Sequence, residues 1–300
     1  MGSLPHDSIL YTIGDGTFTF LKSIKSDGSN DTSLASFAVA TTKAVAPNPT
    51  KTNQYAFASI DQNTSQMTLY LGNSALSTSS ATLLTSTSFV DIDDIQFTPD
   101  GTYIIFKADS GLGYKMYRIP VTGGNEVSLD DVFEFSVSPV NGSHLIAYSK
   151  PLATTSEVYT IDYTTATQTP ITSLGADVFY PTWSRDGSTI LFGYLAPSAV
   201  NADLYKVSSS GGTATQVTNS SNVYEIMGFF NEDMTKIASV GFDASNNLNL
   251  SVMGADGSNV NSILSDNSLG VTCYWTDSNG RAIAVNLPHF QIGPRKRRAH

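Results

Sequence analysis

The chain has 300 residues, a formal net charge of −10 and only 14% charged residues. The acidic balance argues against nucleic acid as a partner, because phosphate binding requires a basic surface. No apolar run approaches the roughly 18 residues of a membrane-spanning helix, and the single cysteine, Cys273, excludes a disulfide framework within the chain. Ser, Thr, Gly, Asn and aromatic residues abound, which favours short strands and tight turns.

A motif with a period of roughly 40–52 residues runs along the whole chain, which is the spacing of propeller blades. Its copies, in chain order, are KAVAPNPTKTNQYAFAS from Lys43, IQFTPDGTYIIFKA from Ile95, FSVSPVNGSHLIAYS from Phe135, PTWSRDGSTILFGYL from Pro181, GFFNEDMTKIASV from Gly228 and CYWTDSNGRAIAV from Cys273. The residues that anchor these copies are Val45, Phe97, Val137, Trp183, Phe230 and Trp275.

A strand–turn–strand hairpin accompanies each copy. The hairpins begin at Phe20, Thr68, Lys115, Glu157, Asp203 and Asn249. The first hairpin precedes the first anchor, and no hairpin follows the last anchor. A ring closed by strands from both termini produces this offset and removes exposed sheet edges. The sequence therefore predicts an all-β, six-bladed β-propeller of four-stranded antiparallel blades, with a closing blade shared by N- and C-terminal strands.

Two segments compete for one place in that closing blade. Both SILYTI near Ile9 and RAIAVN near Ala282 fit its second strand, and the pattern does not choose between them. We predict a single propeller domain over residues 7–290, with residues 1–6 and 291–300 as disordered tails. The basic run Arg295 to Arg298 is then a solvated appendage.

Asp186, in the copy PTWSRDGSTILFGYL, is the most conspicuous carboxylate of the repeat. It recurs as Asp100 and Asp233, and the longer turns carry Asn141 and Asn279 instead. A short polar side chain next to glycine forms an Asx turn between two strands. We therefore interpret Asp186 as a turn residue and not as a catalytic one.

The segments Trp183 to Gly187 and Phe97 to Gly101 resemble the Trp-Ser-Pro-Asp-Gly repeat of TolB-type β-propellers. The resemblance extends from about Ile9 to Leu287. The first and fifth units depart from it, with Asn48-Pro49 and Asp233-Met234 in place of Asp-Gly. It implies a propeller fold. Propellers of this type serve as periplasmic protein-docking modules, as gating domains before a serine peptidase, or as binding platforms of surface proteins.

Candidate binding residues follow from the repeat phase, because the inner strand of each blade lines the central channel. Three positions before the anchors, the chain carries Thr42, Asp94, Glu134, Tyr180, Met227 and Thr272. Six positions before three of the anchors it carries Asp91, Asp131 and Asp177. We expect these residues around the channel mouth as a ligand-binding site.

The carboxylates in this set, Asp91, Asp94, Asp131, Glu134 and Asp177, suggest a metal site, and calcium is the one cofactor that they indicate. A cationic ligand would serve equally well, since clustered carboxylates repel one another unless a positive group is supplied. The alternative is that they are hydrated surface groups, screened by salt.

The nucleophile elbow, zinc-binding and phosphate-loop motifs of common enzymes are absent from the sequence. We therefore predict a non-catalytic binding or protein-interaction module, extracytoplasmic and monomeric, whose partner is an unidentified protein or a small ligand at the channel mouth. Its export signal would lie outside this sequence. One alternative is a lyase or glycoside hydrolase with Asp94 and Glu134 as its acid/base pair. Another is a propeller domain detached from a larger surface protein.

Overall fold

Short antiparallel strands make up the fold, as expected for a chain rich in β-forming residues and glycine-containing turns. The computed structural model describes residues 8–14, 18–38, 42–51, 53–73, 77–245, 247–266 and 273–275. In these ranges the chain forms strands β1 to β24 and one short 3-10 turn, Thr78–Ser80. No helix in these ranges has the length and apolar character needed to cross a bilayer.

The strands form six four-stranded antiparallel sheets, which are the blades of a propeller. Blade 1 contains β4 (Thr42–Pro47), β5 (Tyr55–Ile60), β6 (Met67–Gly72) and β7 (Thr82–Leu83). Blade 2 contains β8 (Asp91–Phe97), β9 (Tyr103–Asp109), β10 (Tyr114–Pro120) and β11 (Val127–Asp131). Blade 3 contains β12 (Phe135–Val137), β13 (Leu145–Pro151), β14 (Ser156–Asp162) and β15 (Gln168–Pro170).

The remaining blades complete the ring. Blade 4 contains β16 (Asp177–Trp183), β17 (Thr189–Leu195), β18 (Asp203–Ser208) and β19 (Thr215–Gln216). Blade 5 contains β20 (Val223–Phe230), β21 (Lys236–Asp243), β22 (Leu248–Gly254) and β23 (Asn261–Asp266). Blade 6 contains β24 (Cys273–Trp275), β1 (Ser8–Gly14), β2 (Phe18–Lys25) and β3 (Thr32–Ala38), in this order across the sheet.

Blade 6 confirms that the ring is closed by strands from both ends of the chain. Strand β24 pairs antiparallel with β1, with Ile9 opposite Trp275 and Tyr11 opposite Cys273. SILYTI is therefore the second strand of this blade. The competing segment RAIAVN lies outside the described residues, as do Asn279 and both predicted tails.

Apolar side chains pack between neighbouring blades and form the core. Between blades 1 and 2, Leu69, Phe89 and Phe106 are almost completely buried in one cluster. The ring of Tyr117 lies 5.2 Å from that of Phe89 and 5.3 Å from that of Phe106. Burial of large aromatic side chains is a major source of stability in such folds. It also fixes each blade against the next and thus makes the ring a rigid scaffold.

In blades 2, 4 and 5 the turn between the first two strands is held by a carboxylate. In blade 4, Asp186 Oδ1 accepts hydrogen bonds from Ser184 Oγ at 2.7 Å and from the backbone N–H of Ser188 at 3.0 Å. In blade 2, Asp100 accepts the equivalent bonds from Thr98 and Thr102. These bonds hold the pKa of Asp186 below its ordinary value. The prediction that Asp186 is a turn residue is confirmed.

The anchor predicted for blade 1 was wrong by two residues. Pro47 lies opposite Tyr55, and the next N–H, that of Asn48, bonds to the carbonyl of Gln54. Phe97 occupies the same place in blade 2, since Thr98 N–H follows it and bonds to Tyr103 O. Pro47 is therefore the structural anchor in place of Val45. The prediction was shifted because blade 1 lacks the Asp-Gly turn that marks the register in blades 2 and 4.

Candidate binding site at the mouth of the ring

One end of the ring holds most of the predicted site residues. Because the strands of each blade are antiparallel, the first and third strands begin at this end and the second and fourth end there. In blade 2, for example, Asp91 lies opposite Asp109, and Asp109 lies opposite Tyr114. Neighbouring blades are joined at the same end, where Lys107 Nζ donates to Phe133 O at 3.0 Å. We call this end the mouth face and the opposite end, with its Asp-Gly turns, the turn face.

A β-bulge recurs near the start of the inner strand. The pairing of inner and second strand shifts between Thr42 and Ala44, between Ile92 and Asp94, between Phe179 and Thr182, and between Glu225 and Met227. Bulges are frequent beside functional sites because they redirect a side chain. In blade 4 the bulge holds Tyr180 at a φ of +42°, a conformation that side chains rarely adopt. The bulge therefore sets the direction of the side chains at the predicted positions.

Asp94 is the most unusual residue of this set. Only 2% of it is exposed, and no donor from the described part of the chain reaches its Oδ1. Burial raises the pKa of Asp94 from its ordinary 3.8 to about 8, while the charge of Lys107, opposite it on β9, acts against this rise. A carboxyl with this pKa is neutral below about pH 8. A positive group or a hydrogen-bond donor beside it would stabilise its ionised form.

Lys107 is the only described cation beside Asp94. Its Nζ lies 2.7 Å from Asp93 Oδ2 and donates to the carbonyl of Phe133 on the way into blade 3. Burial acts to lower the pKa of Lys107, but the charges of Asp93 and Glu134 outweigh burial and raise it. One ammonium group therefore interacts electrostatically with three carboxyls, those of Asp93, Asp94 and Glu134.

Glu134 lies directly before the inner strand of blade 3. It is 3% exposed, its Oε2 accepts a hydrogen bond from Ser149 Oγ at 2.5 Å, and its backbone N–H donates to the same Ser149 oxygen. Asp94 and Glu134 are thus both covered by the fold. The alternative interpretation of hydrated surface groups was wrong for these two residues.

The predicted outer carboxylates are dispersed. Asp91 Oδ2 accepts a hydrogen bond from the hydroxyl of Tyr114, and Asp177 begins β16 with an exposed side chain. Asp131 was expected on the approach to an inner strand, but it ends β11, the outermost strand of blade 2, where it pairs with Lys115. That expectation was wrong, because the outer strand extends further than the repeat suggested.

The remaining predicted residues have different environments. Met227 is fully buried in an apolar cluster with Ile9 and Tyr11, and the half-buried Tyr180 packs against that cluster. Both are packing residues of the core. Thr42 begins β4, but Ala44 is the structural equivalent of Asp94 because the anchor is Pro47. Thr272 lies outside the described residues.

Two further buried carboxyls at the mouth face were not among the predicted binding residues. Glu157 accepts hydrogen bonds from Thr172 Oγ1 and from the backbone N–H groups of Leu174 and Gly175. Glu225 accepts from Thr218 and Ser220, and its burial raises its pKa. A signal existed, because both outer strands are followed directly by an apolar residue and Thr, Ile171-Thr172 after β15 and Val217-Thr218 after β19. These pairs fasten the connection to the next blade.

The described residues contain no group of three or more His, Cys, Asp or Glu side chains placed to hold a metal ion. The carboxyls nearest to such a group are those around Lys107, where an ammonium already occupies the centre. The cation that these carboxyls face in the structure is thus an ammonium group.

Charge is distributed unequally between the two faces. The described carboxyls at the mouth face are those of Asp61, Asp91, Asp93, Asp94, Asp109, Asp130, Asp131, Glu134, Glu157, Asp177, Asp203, Glu225 and Asp243. The described basic side chains there are Lys107, Lys115 and Lys150, each in a salt bridge with an aspartate. The turn face carries Lys25, Lys51, Arg185, Lys206 and Lys236 together with the carboxyls of Asp27, Asp31, Asp100, Glu126, Asp162, Asp186, Glu232, Asp233 and Asp256, so its excess of described carboxyls is smaller. The mouth face therefore attracts cations.

Comparison with solved structures gives matches over most of the chain. A putative TolB from Agrobacterium tumefaciens aligns with a TM-score of 0.65 at 15% sequence identity, over 95% of this chain and 98% of that one. TolB from Acinetobacter baumannii aligns with a TM-score of 0.68 at 19% identity, over 91% of this chain and 68% of that one. The fold is a TolB-like β-propeller.

The TolB-like fold confirms the resemblance drawn from the Trp183 and Phe97 repeats. At these identities the likeness extends to the fold and not to particular residues. No family model matches the sequence, and no curated protein matches it. The function therefore has to be inferred from the chemistry of the site itself.

Proposed function

We propose that this protein is a non-catalytic binding module that takes up a cationic ligand or partner at the mouth face of its ring. The observation that carries the proposal is the buried carboxyl of Asp94, whose Oδ1 accepts no hydrogen bond from the described residues. Leaving such a group without a partner costs free energy that a bound donor would recover. The TolB-like fold supports a binding role, because propellers of this type serve as docking modules.

The ligand group is an ammonium or guanidinium. Asp93, Asp94 and Glu134 surround one cation, Lys107, so the carboxyls of the site outnumber its cations. A ligand amine would enter by displacing the Lys107 ammonium from Asp93 and would then donate to Asp94. Calcium is a less suitable occupant, since the described side chains do not form a cage of oxygen ligands.

The enzymatic alternative is not favoured. A glycosidase or lyase with Asp94 and Glu134 as its acid/base pair would need both carboxyls open to the substrate. Both are almost completely buried, and Glu134 Oε2 is held by Ser149. A sugar ring cannot lie between them, whereas the tip of an amine is small enough to replace Lys107.

An extracytoplasmic location, periplasmic or secreted, is part of the proposal and is supported by the fold it shares with TolB. We further propose that the module acts as a monomer. In that setting the partner would be a protein or small molecule that presents a positive group to the mouth face.

Thermal unfolding with added cations tests the proposal. Spermidine, arginine methyl ester, Ca²⁺ and Mg²⁺ are titrated separately into the wild type, Asp94→Asn, the double variant Asp94→Asn with Glu134→Gln, and the control Asp177→Asn. A ligand at a hundredfold excess over Kd stabilises the native state by about 2.7 kcal/mol. We expect the organic cations to raise the Tm of the wild type and of Asp177→Asn, and both Asp94 variants to lose the rise.

The outcomes separate the alternatives. A rise with Ca²⁺ alone that is lost in Asp94→Asn would establish a metal site instead. No rise with any cation, together with a more stable double variant, would mean that the carboxyls merely repel one another. The binding proposal for Asp94 would then be rejected.

A further inference from the structure

A leucine at the mouth face of blade 2 is held out into solvent by a rigid turn. Leu112 lies between Gly111 and Gly113, whose φ angles are +101° and +104°. Asp109 Oδ1 accepts hydrogen bonds from the N–H groups of both glycines, at 2.6 and 3.0 Å. The side chain of Leu112 is left 91% exposed. The turn is ordered by its backbone, so the leucine serves no purpose within its own blade.

Further apolar groups adjoin this turn. A Cβ on Gly111 would lie 3.9 Å from Val90 Cγ2, which places the exposed Val90 beside the turn. Tyr114 begins the next strand and donates its hydroxyl proton to Asp91, which leaves its partly exposed ring at the surface. Val90, Leu112 and Tyr114 thus lie at the same end of blade 2 as Asp91 and Asp109, and Lys107 Nζ lies 5.0 Å from the centre of the Tyr114 ring.

The corresponding hairpins of blades 3 and 4 repeat the feature. Leu152, after β13, is 42% exposed, and its N–H is fixed by Thr155 O. Val200, after β17, is 87% exposed, and Asn201 next to it donates to Ser221 O at 2.7 Å. Single exposed aliphatic residues are common. Here three of them occupy equivalent hairpins of consecutive blades, all at the mouth face.

The charge of this surface indicates what kind of partner it can bind. The described mouth-face carboxyls outnumber the described lysines there, and these lysines are already paired with aspartates. We infer that the hairpin tips of blades 2 to 4 dock a basic, amphipathic segment of a partner protein, with Leu112 and Val200 as apolar anchors. Such a segment provides apolar side chains for the anchors and cations for Asp91 and Asp109. An anionic membrane would be repelled by the same carboxyls.

This inference rests on the proposed binding function but uses different residues, so the two can fail separately. The probes are short labelled peptides. One contains Leu and Lys with the leucines on one face, a second has Glu in place of every Lys, and a third has Ser in place of every Leu. Fluorescence anisotropy measures their binding to the wild type, Leu112→Ser, Val200→Ser and the control Val260→Ser, which removes a 59% exposed valine of the turn face.

We expect only the Leu/Lys peptide to bind the wild type, more weakly when salt is raised tenfold. Leu112→Ser and Val200→Ser should each weaken binding roughly fivefold or more, while Val260→Ser should not change it. Asp94→Asn should retain peptide binding even if it loses the response to spermidine. This separates the docking surface from the cation site.

Three results would overturn the inference. The first is no binding of the Leu/Lys peptide, or binding that neither Leu112→Ser nor Val200→Ser weakens. The second is equal binding of the Leu/Glu peptide, which would remove the argument from charge. The third is sedimentation with phosphatidylglycerol vesicles that depends on Leu112, which would make a lipid surface the occupant instead of a protein.

Discussion

Trp183 Nε1 lies 2.9 Å from the backbone carbonyl oxygen of Ser136 and donates a hydrogen bond from the inner strand of blade 4 to that of blade 3. Trp275 makes the same bond in blade 6, to Phe229 O in blade 5 at 3.1 Å. In each case the acceptor directly precedes the anchor of the preceding blade. Both tryptophans of the chain therefore fasten neighbouring inner strands at the same point of the repeat.

Replacement of Trp183 by Phe should destabilise the protein by about 1–3 kcal/mol, because the carbonyl of Ser136 would be left buried without its donor. Trp275→Phe should have a similar effect at the other junction. Urea denaturation measures both. The propeller should still form, as judged by far-UV circular dichroism. A loss below about 0.5 kcal/mol for both variants would show that the indole N–H groups do not fasten the blades.

Gly187 in the Asp186 turn is required for two separate reasons. Its φ is +71°, and a Cβ there would lie 2.7 Å from Val140 Cγ2 in the neighbouring blade. Gly175 has a similar φ of +69°, but a Cβ there would meet no described atom within 4 Å. Gly175→Ala should therefore cost about 1 kcal/mol from backbone strain alone, and Gly187→Ala clearly more. Denaturant midpoints measure the difference, and equal losses of stability in the two variants would mean that Val140 moves aside freely.

Stability should depend on pH through Asp94. Folding raises its pKa from 3.8 to about 8, so the folded state favours the neutral carboxyl. This contribution is fully present below pH 3.8 and is lost as the pH rises to about 8, by up to about 1.4 kcal/mol per pH unit. Asp94→Asn should weaken this decline and be more stable than the wild type at high pH. Denaturant midpoints between about pH 5 and pH 9 test this, and identical profiles would show that folding does not change the pKa of Asp94.

Binding of organic cations should become tighter with rising pH. A cation favours the ionised carboxyl, so binding to Asp94 must release the proton that the buried group holds below about pH 8. Affinity for spermidine should therefore increase between about pH 6 and pH 8 and then level off. Calorimetry in buffers of different ionisation enthalpy would reveal the released proton. A pH-independent affinity would place the bound cation elsewhere on the acidic face.

The fold could be predicted because the repeat supplies six independent copies of the same signal. Turn chemistry at Asp100 and Asp186 marks the register of blades 2 and 4, and the order of anchors and hairpins implies the closing blade. Where the turn signal is missing, the predicted register is shifted. Because blade 1 has Asn48-Pro49 in place of Asp-Gly, Val45 was predicted as its anchor in place of Pro47. The choice of β1 for blade 6 required the pairing itself, since both candidate strands have suitable composition.

The site was predictable only in outline. The spacing of the repeat correctly predicted that Asp94 and Glu134 occupy equivalent positions. Their environment, however, depends on a bulge and Lys107 in the case of Asp94, and on Ser149 in the case of Glu134. Alternation along one strand cannot reveal a bulge. Asp131 was misplaced because the length of an outer strand is set by its pairing with β10 and not by the repeat.

The innermost strand of blade 6, β24, is the last described strand, whereas its partner β1 is the first. During synthesis at about 5–20 residues per second, β1 therefore remains without its partner strand for tens of seconds, until Trp275 has left the ribosome. For that time one edge of the strand offers unpaired N–H and C=O groups to any other extended chain. The nascent protein is thus most open to misassembly at the very strand that β24 must reach to close the ring.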